Sequence, residues 1–212
     1  MTSRNLLLAL AAPFCVLILE GCIPAAAVGV GVGAVVSVVD RRTTGAQVDD
    51  EGIELRVSNR ITERFGDRAH INVTSYNRVV MLTGEAFDVT MRDELEKIAT
   101  GIQGVRGVTN EIRVAPISAY SGRANDSAIT GKVKARFVEA NKFNAIHVKV
   151  VTEANVVYLL GIVTEKEGND AAELARTTSG VRKVVKVLEY CRHTDDACRP
   201  REQPKSGDAK AR

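Results

Sequence analysis

The sequence predicts an α+β protein made of two copies of one small unit, each running helix, strand, strand, helix, strand. Three observations predict it. Apolar blocks recur at a spacing of 76 or 77 residues. Inside each copy the apolar period changes from helical to alternating and back. Turn-forming residues stand between those segments. The 212-residue length, with 45% hydrophobic and 26% charged residues, suits two small folded units in place of a disordered chain.

The elements follow in order. Ile53, Val57 and Ile61 share one helical face at i, i+4 and i+8, and return 76 residues later as Ile129, Val133 and Phe137. Asn125, Asp126 and Ser127 are N-cap candidates for the second of these helices. Ile71 and Val73, then Val80 and Leu82, alternate as strand residues do, with the turn at Tyr76-Asn77-Arg78. Val79-Val80-Met81-Leu82-Thr83-Gly84 answers at 77 to Val156-Val157-Tyr158-Leu159-Leu160-Gly161, whose turn is Glu153-Ala154-Asn155. A helix follows over Val89 to Thr100, or Glu165 to Thr178. Gly104-Val105-Arg106-Gly107-Val108 then opens the last strand, matched at 76 by Gly180-Val181-Arg182-Lys183-Val184.

The amino end reads as an export signal. Arg4 precedes an apolar run, Leu6 to Leu19, that is short for a membrane span and broken by Pro13. Leu19-Glu20-Gly21-Cys22 resembles the lipobox of bacterial lipoproteins, in which the Cys thiol is lipidated and the signal cut ahead of it. An ordinary secretory signal is the other reading. Ile23 after Cys22, by resemblance to lipoprotein sorting in Gram-negative bacteria, favours the outer membrane. With Cys15 removed and Cys22 lipidated, Cys191 and Cys198 remain, and an even pair in an exported protein is expected as a disulfide. A metal clip of Cys191, His193, Asp195 and Cys198 is the alternative, although its spacing fits no standard zinc pattern.

The expected organisation is therefore a signal over 1–21, a lipidated tether over 22–49, a first unit over 50–114 and a linker over 115–124. A second unit over 125–190 and a tail over 191–212 follow, the tail disordered after a small disulfide loop. The Val-x-Leu-x-Gly strand and the Gly-Val-x-x-Val opening of the last strand resemble the BON domain. Two such units behind a lipobox resemble the dual-BON outer-membrane lipoproteins. That resemblance implies a three-stranded mixed sheet packed on two helices in each unit.

Composition excludes several functions. A net charge of +3 with 4% aromatics and no Trp gives neither the basic footprint nor the stacking platforms of a nucleic-acid binder. No Ser elbow, paired-carboxylate signature, metal motif or phosphate loop accompanies His70, His147 and His193, so no catalytic residue, cofactor or metal is expected. Residues 50–114 carry nine basic and eleven acidic side chains, whereas 125–190 carry ten and eight. The second unit is the more basic copy. Ala128, Lys132, Ala135 and Val138 lie off the core stripe of its first helix, with Lys134 and Lys142 nearby.

The family resemblance implies that this helix and the loop before it bind anionic phospholipid, and that the protein supports envelope integrity. Carried over, it points to Asn125, Asp126, Ser127, Ala128, Lys132, Lys134 and Val138. Ala128 departs from the pattern, since a lipid-binding member of the family carries Trp there. The rival expectation is a periplasmic adaptor or chaperone-like factor for outer-membrane protein assembly, acting through sheet edges or the first unit.

Overall fold

A computed structural model of the chain describes residues 40–117 and 120–199. The expected signal, Cys22 with its lipobox, the tether up to residue 39 and the tail from residue 200 lie outside the described residues.

Helix α1 spans Thr44–Phe65. Thr43 caps it by accepting the Ala46 N–H on its side-chain oxygen, and Gly66, at φ 55°, ends it. Its buried face is Ala46, Asp50, Ile53, Val57, Ile61 and Phe65. Residues 44–49, expected as tether, are thus its first turns. Strands β1 (His70–Tyr76) and β2 (Val79–Ala86) form an antiparallel hairpin whose two turn residues, Asn77 and Arg78, both have positive φ. That turn matches the twist of the flanking strands. Helix α2 (Val89–Thr100) is capped by Asp88. Strands β3 (Gly107–Asn110) and β4 (Arg113–Val114) return parallel to β2, one edge interrupted at Glu111-Ile112.

The second unit repeats this order. Helix α3 (Tyr120–Ala140) begins earlier than its expected caps, so Asn125, Asp126 and Ser127 lie inside the helix and do not cap it. Strands β5 (Val148–Glu153) and β6 (Val156–Val163) pair antiparallel about Ala154-Asn155, again with positive φ. Helix α4 (Glu165–Arg176) starts with a reciprocal capping box between Thr164 and Glu167. Strand β7 (Lys183–Tyr190) lies parallel to β6. Each sheet is mixed, which makes the fold α+β.

The repeat slips by one residue at Phe87. Strand β2 matches β6 at 77, but the helix caps Asp88 and Thr164 match at 76. Phe87 is therefore the extra residue, and it is 80% exposed.

Gly84 and Gly161 occupy equivalent positions in the two hairpins for one steric reason. A Cβ at either position would run into the backbone carbonyl of the neighbouring strand, that of His70 or of His147. Gly84 also holds φ at +113°, a conformation that suits glycine.

Each unit has its own core between its helices and one sheet face: Ile53, Val57, Val80, Leu82 and Leu95 in the first, Ile129, Val133, Phe137, Val157 and Leu159 in the second. A third cluster joins the other sheet faces, with Tyr76 and Met81 from the first unit against Val156, Tyr158, Leu160 and Ile162 from the second. The two sheets thus stack face to face with the helices outside. This explains why β6 is apolar and buried at every position from Val156 to Val163, since both its faces are covered. Cys191 and Cys198 are joined by a disulfide, with Cα atoms 6.1 Å apart, and Cys198 is buried in the inter-sheet cluster.

Candidate membrane-contact surface

Helix α3 carries apolar residues on two opposite faces. Ile129, Val133 and Phe137 point into the core. On the far side, Ala124, Ala128, Gly131, Ala135 and Val138 follow at i, i+4, i+7, i+11 and i+14, all exposed. Val138 keeps 69% of its surface. At 100° per residue, Lys132 and Lys134 fall on opposite flanks of this strip. Both are exposed, and among the described residues neither has an acidic partner. The remaining cations of the region are engaged. Arg136 Nη1 donates to the Leu174 carbonyl at 2.9 Å and to the Thr177 hydroxyl at 2.9 Å, and Lys142 stands 3.8 Å from Asp170.

The residues carried over from the family divide at this surface. Asn125, Ser127, Ala128, Lys132, Lys134 and Val138 are exposed. Ser127 donates its hydroxyl proton to the Arg123 carbonyl one turn back. Asp126 is only 6% exposed and is committed elsewhere: its carboxylate accepts the Ala154 and Asn155 N–H groups at 2.8 Å each. A carboxylate spent on closing a hairpin turn is not offered to a headgroup. Ala124 and Gly131 belong to the strip but were not among the expected residues. The sequence does carry their signal, an outward series of small residues at helical spacing.

The segment ahead of α1 is also ordered by charge. Arg41 forms a bidentate pair with Glu167, at 2.7 and 3.0 Å, and donates to the Ile162 carbonyl at 2.9 Å. Burial alone would raise the Glu167 carboxyl. The Arg41 guanidinium and the Thr164 N–H outweigh it and hold that carboxyl at about 2. Arg42 bridges Asp40 and Asp50 and stacks 4.2 Å over the Tyr76 ring. Arg41 binds the second unit and Arg42 the first, so residues 41 and 42 are tied to both. Among the described residues no helix is long and apolar enough to cross a membrane.

Residues 49–116 and 125–192 each match the BON domain. The chain belongs to the BON-domain family. Its BON domains also align with whole relatives. It is 38% identical over 174 residues to the outer membrane lipoprotein DolP of Haemophilus influenzae, covering 81% of this chain and 90% of that protein. It is 36% identical to the 21 kDa hemolysin of Actinobacillus pleuropneumoniae, over 72% of this chain and 79% of the relative. It is 31% identical to the osmotically-inducible protein Y of Escherichia coli, over 68% of this chain and 74% of the relative. The tandem BON architecture and the likeness to DolP support an outer-membrane BON-domain lipoprotein.

Proposed function

We propose that the chain is a non-enzymatic lipoprotein, anchored through acyl chains on Cys22 at the periplasmic face of the outer membrane. Its second BON domain lays helix α3 on anionic phospholipid and so supports envelope integrity. The observation that carries this reading is the outward strip of α3, small and apolar and edged by Lys132 and Lys134. Such a face lies in the interfacial plane of a bilayer, and each nearby cation contributes about 1 kcal/mol at an anionic surface. Lipid on Cys22 holds the domain at the bilayer, so the helix needs only modest affinity of its own.

The test is co-sedimentation of the unlipidated chain, residues 23–212, with vesicles of phosphatidylcholine alone or with phosphatidylglycerol. The expected result is binding that requires phosphatidylglycerol, weakens with salt and drops about tenfold or more in a Lys132→Glu/Lys134→Glu variant. Equal binding by that variant at low salt would remove α3 from the contact.

A second reading is a protein-interaction adaptor working through the first BON domain. Phe87, Val89, Val114 and Ile117 are all exposed, and Phe87, Val114 and Ile117 line one cavity with Arg68. An apolar cluster around an inserted aromatic fits a protein partner. Photo-crosslinking from position 87 in cells would capture a specific protein if this reading holds, and lipid or nothing if it does not.

A further inference from the structure

The seam between the sheets gathers ligating groups that the membrane role leaves unused. His70, at the start of β1, lies across the ladder from Glu85 of β2. Glu153, at the end of β5, reaches them from the second domain. One imidazole nitrogen and one oxygen of each carboxylate all lie within 4.8 Å of one another. Glu85 is fully buried and Glu153 is 7% exposed.

Both carboxylates are oriented from behind. Asn72 donates its amide to Glu153 at 2.6 Å, and Arg113 pairs with Glu85. Outer partners of this kind fix the direction of ligating carboxylates at metal sites. A second observation comes from Thr83. It stands opposite Asn72 in the ladder, on the same sheet face as Glu85, and is fully buried with no hydrogen-bond partner for its hydroxyl. A buried hydroxyl left without a partner costs about 1–3 kcal/mol, so it marks a place where a bound species would supply one. A polar cavity of about 350 Å³, lined in part by His70, Asn72, Thr152 and Glu153, gives a path to the group from solvent.

We propose that His70, Glu85 and Glu153 form a divalent transition-metal site that ties the two BON domains together. Two carboxylates supply anionic oxygen donors, one of them held by Arg113, and the imidazole selects zinc-like cations over magnesium and calcium. Three protein ligands leave a position for water, which the cavity supplies, and the unpartnered Thr83 hydroxyl lies two residues along the same strand face from Glu85. Because the ligands come from both domains, the ion would stabilise their stacking.

The test is calorimetric titration of the purified full-length protein, stripped of metal, with Zn²⁺ and separately with Mg²⁺, alongside thermal melting. One Zn²⁺ per chain, a raised melting temperature and no comparable response to Mg²⁺ are expected. His70→Asn and Glu153→Gln should each weaken Zn²⁺ binding by about tenfold or more. His193→Asn, which alters an exposed histidine of the tail loop, should leave it unchanged. His70 is only half-buried, so its variant remains informative if Glu153→Gln does not fold. No Zn²⁺ binding, binding unchanged in His70→Asn, or binding lost in His193→Asn would each overturn the site.

Discussion

Asp126 does for the second hairpin what Asp50 does for the first. Asp50 accepts the Asn77 and Arg78 N–H groups at 2.8 and 2.7 Å, as Asp126 accepts those of Ala154 and Asn155 at 2.8 Å each. In both domains a buried helix carboxylate closes a turn that needs two residues of positive φ. Asp126→Ala should cost about 3 kcal/mol, because two half-buried N–H groups lose a charged acceptor. Asp50→Ala should cost more, since Asp50 also receives the Ser75 hydroxyl and pairs with Arg42. Urea denaturation of the two variants checks this. A loss below about 1 kcal/mol for Asp126→Ala would mean that the turn holds itself.

The pattern of the sequence made the two-copy fold and most element positions readable, because the helical and strand cores obey clean periods. Ile53, Val57 and Ile61 are all buried in the first core, and Ile129, Val133 and Phe137 in the second. The stacking of the sheets was not readable. Thr83, Glu85 and Glu153 look like the solvent face of alternating strands, yet all three are buried at the inter-sheet seam. The role of Asp126 was missed for a related reason. Next to Asn and Ser it resembles a helix cap, and only the recurrence of Asp50 at 76 residues separates a hairpin clamp from a cap. The Arg41–Glu167 pair spans 126 residues, which no local pattern encodes. On α3 the outward Ala128, Ala135 and Val138 and the lysines beside them were readable from helical spacing, and Ala124 and Gly131 extend the same strip.

Gly131 lies inside α3, is exposed, and has nothing within 4 Å of where a Cβ would sit. Gly131→Ala should therefore stabilise the protein by about 1 kcal/mol through helix propensity and the entropy of the unfolded chain. Thermal melting reads this directly. Vesicle binding should persist, because alanine continues the small apolar strip.

Ala128 occupies the same strip, one turn ahead of Lys132. Ala128→Trp places an interfacial aromatic on the outward face without touching the core. Affinity for phosphatidylglycerol vesicles should rise about tenfold, with tryptophan fluorescence shifting to the blue on binding. An unshifted spectrum with bound protein would place the contact elsewhere on the molecule.

Gly161 faces the His147 carbonyl across the β5–β6 ladder so closely that any side chain displaces a strand. Gly161→Ala should destabilise by at least about 3 kcal/mol, in the range of severe overpacking. Gly84→Ala should do the same in the first domain, with positive φ adding to the strain. Denaturant midpoints test both, and Gly131→Ala serves as the contrasting glycine at which the change is favourable.

Arg41 and Glu167 also predict how stability depends on acid. The Glu167 carboxyl falls from the usual 4.5 to about 2 in the folded chain. The unfolded state therefore takes up a proton first as the pH drops, and the contribution of the pair is complete above 4.5 and lost between 4.5 and 2. For a pair that is only partly buried this amounts to on the order of 2 kcal/mol. The His147 Nδ1 stands 3.8 Å from the same carboxylate. Arg41→Ala removes the main counter-charge, so the variant should be less stable at pH 7 by a similar amount. Its stability should also decline less steeply than that of the parent as the pH falls from 4.5 toward 2. Parallel acid limbs for the two proteins, measured by urea denaturation at stepped pH, would show that Glu167 owes its low value to its Thr164 capping contacts instead.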